Sequence, residues 1–258
     1  MPFSKKQLIP FGFIVLLICL WAAVANFSWV DPIILPSPAK VLSAFPTLFT
    51  HEGFARDLLR TLGRVGIALA VAATVGIPLG LYFGYRRSVY QVFETPLHWL
   101  RSVPASALFP LFLIVVGVGE KAVIALAAYP SLLVIVVNTV GGAALANKRR
   151  VHQAQTLGLG TFAMLSEVLL YEALPHIFNG IRIASSYALV LVVAVEMFIG
   201  VGDSGLGRKI YDYQAAYRIP ETYAAIITAG IVGVSLNWII TLLERRFLRW
   251  LPDAHEQP

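Results

Sequence analysis

The chain has 258 residues, of which 58% are hydrophobic and only 13% charged, with a formal net charge of +6 and a mean hydropathy of +0.75. Soluble domains carry about 25% charged residues, so this composition excludes a soluble globular protein and points to an integral membrane one. The Lys and Arg residues sit beside apolar runs, which suits orientation in a bilayer and argues against a nucleic-acid surface.

A helix needs about 20 apolar residues to cross a bilayer, and six stretches qualify: 8–30, 62–85, 89–118 in broken form, 121–145, 183–201 and 223–243. The first follows Lys5 and Lys6 and resembles a signal peptide. Its apolar run exceeds the usual h-region of about 7 to 15 residues, which favours a retained span, although the alanine-rich 22–25 stretch is the best argument for cleavage. Cys19, the single cysteine, lies inside this run, so intramolecular disulfides and a cysteine metal site are excluded.

Pro32, Pro36 and Pro38 then interrupt helix. Residues 39–49 resume an amphipathic pattern, with Val41, Leu42, Phe45 and Leu48 alternating with polar or small residues, and predict a helix lying along the outer membrane interface ahead of 54–64. In the second span Gly66, Gly76, Gly80 and Gly84 permit close helix approach. The third run contains Pro96, Pro104 and Pro110, so a straight helix is not expected and backbone carbonyls are freed inside the membrane. Such breaks occur where backbone is buried in protein or lines a cavity. Ser102, Pro104 and Ser106 are therefore pathway candidates, the alternative being kinks in packed helices. Tyr129, Pro130, Ser131 and Asn138 of the fourth run read either as pathway groups or as helix-packing hydrogen bonds.

Residues 147–182 begin with Lys148, Arg149 and Arg150 and end at Arg182, the pattern of a surface segment between spans. Ala154, Gly158 and Gly160 mark a turn, and Phe162, Leu165, Val168, Leu169, Ile177 and Ile181 form apolar stripes. Two short helices around a glycine turn are expected, presented to a partner. In the fifth span Glu196 lies 14 residues beyond Arg182, about 21 Å along a helix. A carboxylate at that depth faces protein or water, either as a buried hydrogen-bonding group that orients helices or as a gate; in an anion pathway a paired or protonated acid is easier to accommodate. Residues 200–207, GVGDSGLG, read as a flexible external turn.

An even number of spans puts both termini on one side. Lys5-Lys6, Arg86-Arg87, Lys148 to Arg150 and Arg245, Arg246 and Arg249 all fall there, so that side is expected to be cytoplasmic. Lys40, Arg56, Arg60, Arg64, Lys121, Arg208, Lys209 and Arg218 would lie at or near the outer boundary, balanced by acidic residues. The five histidines form no spaced metal motif, and no GxxxxGK[ST] loop is present, so the chain is not expected to bind a metal, or ATP by itself.

Aligned on Gly158, the 147–182 stretch resembles the coupling loop of bacterial ABC importer permeases, whose signature runs Glu-Ala-Ala, three residues, Gly, nine residues, Ile-x-Leu-Pro. The first triplet falls on His152, Gln153 and Ala154, and the closing element on Val168, Leu169, Leu170 and Tyr171. Two leading residues depart, and Tyr171 replaces Pro, with Leu174-Pro175 one helical turn later. LPSPAKVL (35–42), RSVPASALFPLFLIVVGVGE (101–120), ALPHIFNGIRIA (173–184), AVEMFIG (194–200) and GLG (205–207) narrow the resemblance to the sulfonate, taurine and nitrate branch.

The resemblance implies an all-α integral membrane permease of the type I importer kind, one transmembrane domain over 1–258 with its core at 57–250 and its coupling loop at 147–182. It implies a bacterial inner-membrane location, a homodimer, two cytoplasmic ATPases that bind the ATP, and an extracytoplasmic solute-binding protein. Ala154, Thr156, Leu157, Gly158, Val168, Leu170 and Pro175 are the implied ATPase-coupling residues; Ser102, Pro104, Ser106, Tyr129, Asn138 and Glu196 are the pathway or gate candidates. The rival readings are an ion-gradient-driven secondary transporter, for which no internal repeat is apparent, and a non-transporting scaffold.

Overall fold

The computed structural model describes residues 5–27, 29–51, 53–198 and 204–249, and among these it contains helices and no strand. In chain order they are α1 (Lys5–Asn26), α2 (Pro38–His51), α3 (Phe54–Tyr85), α4 (Arg87–Ser102), a 3₁₀ turn (Ala105–Leu108), α5 (Phe109–Val116), α6 (Glu120–Ala144), α7 (Lys148–Thr156), α8 (Thr161–Ala163), a π turn (Met164–Leu169), α9 (Leu170–Phe198), α10 (Leu206–Ala215) and α11 (Ile219–Phe247).

The core is the packing of α3, α6 and α9. Lipid removes most of the hydrophobic drive between helices, so close approach over small residues has to supply dispersion energy instead. A Cβ at Gly76 would meet Ile135, at Gly80 it would lie 2.5 Å from the Thr139 Cβ, and at Gly84 it would run into Ala143. Gly66 is different, facing open space. The α6–α9 seam repeats the device: Gly142 abuts Ala173 and His176, and Gly180 abuts Asn138. Ser131, fully buried, donates to the Ala127 carbonyl at 2.7 Å and reaches the Ala184 carbonyl of α9 at 3.3 Å.

The proline-rich third run is a bent pair. α4 and the segment from Ala105 to Val116 meet at 84°, at Pro104, which has no N–H to continue the α4 ladder and whose carbonyl instead accepts from Ala107. Pro96 lies within α4, and Pro110 stands in the first turn of α5, where a missing N–H is harmless. Gly117 and Gly119, at φ 89° and 149°, join α5 to α6.

Four helices among the described residues are long and apolar enough to span a membrane singly, the bent pair brings this to as many as five, and Gly12–Asn26 of α1 adds a further apolar stretch. Several boundaries differ from the sequence expectation. The second span begins at Phe54 rather than 62, because 54–64 continues the same helix. The fifth does not begin at Arg182: helix is continuous over Thr161–Phe198, so the second half of the expected surface hairpin is the root of a spanning helix. Much of the apolar face of α2 turns into the protein, although Leu42 stays 71% exposed. Val41, Ala44 and Leu48 are buried in a cluster with Leu206, Ile210 and Tyr213 of α10 and Ala224 and Ala225 of α11. α10 itself was not anticipated.

Candidate functional site

Two features on the Thr161–Phe198 helix stand out, one near each end. At the first, Asn147 caps α7 by accepting from the Arg149 N–H at 3.0 Å. α7 ends in a Schellman turn: Leu159 N–H bonds the Ala154 carbonyl, Gly158 N–H bonds the Gln155 carbonyl, and Gly158 takes the left-handed conformation at φ 75°. A side chain at Gly158 would have open space around it, so within this chain the glycine is required by its φ and not by crowding.

The turn is backed by a hydrophobic cluster. Ala154, Met164, Leu169, Ala173 and Ile177 are buried against Leu81 of α3 and Ala143 of α6, with Leu159, Val168 and Leu170 packed around them. Thr156 and Leu157 stay at the surface, and Pro175 lies half-buried within α9. Leu157 and Phe162 are 79% and 84% exposed, two large apolar side chains flanking the turn. Arg150 on α7 pairs with Glu172 on α9, and beside them a groove of about 410 Å³ is lined by Arg150, Glu167, Val168, Tyr171 and Glu172.

At the other end, Glu196 is 1% exposed and its charge is fully engaged. Arg64 Nη1 donates to its Oε1 at 2.7 Å, Thr61 Oγ1 donates to the carboxylate at 2.8 Å, and the Gly207 N–H donates to Oε2 at 3.0 Å. Arg64 also donates to the Ser204 carbonyl at 2.9 Å and, through Nη2, to Glu120 Oε1 at 2.9 Å. Thr61 Oγ1 accepts the Leu206 N–H at 2.8 Å. The first free N–H groups of α10 are thus capped from α3 and α9, with an anion at the positive end of the helix dipole. Glycine is needed here for closeness: a Cβ at Gly205 or Gly207 would collide with the Glu196 side chain.

This clasp fixes the place of Arg64 and corrects the reading of 200–207. Arg64, expected at or near the outer boundary, is 3% exposed and held inside the fold. Ser204 to Gly207 are not a flexible turn but a buried cap on α10; the rest of that turn, 200–203, lies outside the described residues. Sequence reading singled out Glu196 and missed Arg64 and Thr61. The signal was present in α3, where Asp57, Thr61 and Arg64 recur at helical spacing on a face separate from Arg56 and Arg60.

The remaining candidates are not brought together with Glu196. Ser102, Pro104 and Ser106 are exposed on the bent connection, and Ser102 Oγ bonds the His98 carbonyl. Tyr129 donates to the Leu100 carbonyl at 2.8 Å, holding α4 against α6. Asn138 donates to the Val134 carbonyl and accepts from Asn179 of α9 at 3.1 Å. Among the described residues no group of His, Cys, Asp and Glu is arranged to hold a metal ion.

Residues 76–249 match the family described as the binding-protein-dependent transport system inner membrane component. The chain belongs to this family. The permease is 28% identical over 254 residues to the taurine transport system permease protein TauC of Escherichia coli, covering 96% of this chain and 92% of the relative. It is 29% identical to the nitrate import permease protein NrtB of Synechocystis, over 94% of this chain and 90% of that one. With the putative aliphatic sulfonates transport permease protein SsuC of E. coli it shares 29% identity over 93% and 90%. Its fold resembles that of a chain in the inward-facing MetNI methionine ABC transporter, with a TM-score of 0.61 at 20% identity, covering 77% of this chain and 95% of that one. This is therefore a multi-pass inner-membrane permease subunit of an ABC importer.

Proposed function

We propose that the permease conducts a small oxyanion of the sulfonate, taurine or nitrate kind, delivered by a solute-binding protein and driven by a separate ATPase pair docked on the Gly158 turn. The named substrates of its relatives support the substrate class. Two copies of the chain form the pathway, and the bent connection at Ser102, Pro104 and Ser106 lines it. With α1 as a sixth span, both termini and the α7 turn face the cytoplasm.

The observation that carries the ATPase reading is the exposure of Leu157 and Phe162 on a turn whose reverse side is buried. Large apolar groups held rigidly outside the hydrocarbon are what a protein partner covers. Behind them the chain continues without a break into a spanning helix, so force applied at the turn reaches the membrane core. The permease carries no phosphate-binding loop, and energy enters through this contact. An ion-gradient mechanism is disfavoured by the family to which the chain belongs.

The test is Gly158→Leu. A leucine in the left-handed region costs about 1–2 kcal/mol, enough to distort the Schellman turn while the spans insert on their own apolar length. Expected are normal amounts of permease in the membrane, less ATPase co-purified with it, and loss of uptake in vesicles supplied with the binding protein. Full ATPase association with full uptake in Gly158→Leu would remove the turn from the coupling role.

A further inference from the structure

α11 is the least buried of the four single spanning helices. One of its faces carries Ile231, Val234, Trp238 and Leu242, all large, apolar and exposed. At intervals of three and four residues the same face continues into Arg245 and Arg249, both also exposed. Beside this end a groove of about 480 Å³ is lined by Ile239, Leu242, Leu243, Arg245, Arg246 and Arg249. Among the described residues none of the three arginines has an ion-pair partner; Glu244, the carboxylate in their midst, is taken by Arg182 of α9. The other basic pair at a span end differs, since Arg86 and Arg87 lie over the rings of Tyr85 and Tyr90.

We propose that this groove binds an anionic phospholipid, its phosphate held by Arg245 and Arg249 and one acyl chain lying along Leu242, Trp238 and Val234. The dimensions agree. One leaflet contributes about half of a hydrocarbon core of ~30 Å, which is about ten residues of helix at 1.5 Å each; counted back from Arg245 this reaches Ser235 and Val234. Arginine presents a planar fork of donors that matches phosphate oxygens, and an anion relieves the repulsion among three like charges. The orientation rule alone asks only for basic residues within about 15–20 residues of a span's end. It does not require that they prolong the apolar stripe or stand without carboxylates.

A second copy of the chain fits this face poorly. A two-fold axis along the membrane normal brings like ends of α11 together, setting arginine against arginine while Glu244 is already engaged. The lipid occupant answers both the apolar stripe and the uncompensated charge.

The experiment is native mass spectrometry of the purified full-length protein after exchange into detergent with phosphatidylglycerol or phosphatidylcholine, at matched chain length. Wild type is expected to retain phosphatidylglycerol at least tenfold better than phosphatidylcholine. Near a membrane surface each basic residue contributes about 1 kcal/mol, or roughly fivefold, so Arg245→Gln/Arg249→Gln is expected to lose tenfold or more of that retention. Arg245→Lys/Arg249→Lys, which keeps the charge and controls for misinsertion, is expected to retain most of it. Arg86→Gln/Arg87→Gln removes the same charge elsewhere and is expected to change nothing. Equal retention of the two lipids, or loss of phosphatidylglycerol equally from the Arg86/Arg87 variant, overturns the proposal. So does disulfide crosslinking between copies through Leu242→Cys in a Cys19→Ser background, which would show that a second copy covers the face.

Discussion

Glu196→Gln separates a structural clasp from a charged gate. The wild-type carboxylate accepts from Arg64, Thr61 and the Gly207 N–H. An amide offers a single oxygen, and its NH₂ is a donor that Gly207 cannot use. The substitution therefore leaves one buried N–H without a partner, a cost of about 1–3 kcal/mol. It also leaves Arg64 buried beside Glu120 alone, whose side chain is 63% exposed. Removing one member of a buried pair costs about 3–5 kcal/mol when nothing compensates. Here Glu120 and the Ser204 carbonyl still receive Arg64, so a total of about 2–4 kcal/mol is expected.

At about 2–4 °C per kcal/mol for a chain of this size, thermal unfolding of the detergent-purified permease should fall on the order of 10 °C. Glu120→Gln removes a largely exposed partner and should cost under about 1 kcal/mol. A charge-free exchange, Arg64→Met with Glu196→Leu, should regain much of the loss, because neither desolvated charge remains. Uptake per folded Glu196→Gln permease should stay close to wild type. If Glu120→Gln destabilises as much as Glu196→Gln, or if Glu196→Gln leaves the melting temperature unchanged while abolishing uptake, the clasp reasoning is wrong and the carboxylate acts through its charge in transport.

Gly80→Val should destabilise by about 2–3 kcal/mol or more through overpacking, since its Cβ would meet the Thr139 side chain and the Val136 carbonyl; Gly66→Ala, facing open space on the same helix, should be neutral or slightly stabilising on the same thermal melt. In a Cys19→Ser background, an impermeant thiol reagent applied to intact cells should label Tyr217→Cys and spare Arg150→Cys; the reverse pattern would invert the orientation.

The membrane class, the apolar runs and the break at Pro104 were legible because each depends on local composition or on one residue's missing donor. The glycine turn at 158 was legible because the left-handed region favours one residue type. Helix boundaries were less so. Residues 161–182 mix charged and apolar side chains, which suggested a separate surface helix, yet their apolar side packs on Leu81 and Ala143 and the backbone continues unbroken into the span. α2 carried an amphipathic pattern that a membrane interface and a protein groove satisfy equally well, and its burial in one cluster with residues of α10 and α11 could not be read from that pattern. The clasp was hidden for another reason: Arg64 and Glu196 are 132 residues apart, and Arg64 lies among other arginines that suggest a boundary.

The two ends of the Thr161–Phe198 helix constrain how it can move. From Phe162 to Ala173 is about 17 Å of helix and from Ala184 to Glu196 about 18 Å. Between them, contacts of Gly142 with Ala173, Asn138 with Gly180 and Ser131 with Ala184 seat the helix on α6. A helix tilting about those contacts would turn a displacement at Phe162 into one of similar size at Glu196. That motion pulls Glu196 away from Arg64 and Thr61 and strips the cap from α10, exposing two desolvated charges at once. The cheaper motion keeps the clasp closed and carries α3, α6 and α9 as one body, since packed interfaces shift between discrete arrangements and do not deform smoothly. The displacement then has to be absorbed where that body meets its neighbours. Gly117 and Gly119, both at positive φ and both with open space around them, form the link between α5 and α6, so the backbone can yield there; parting the bent pair from that body would also break the Tyr129–Leu100 hydrogen bond and the packing of Phe112 on Tyr129.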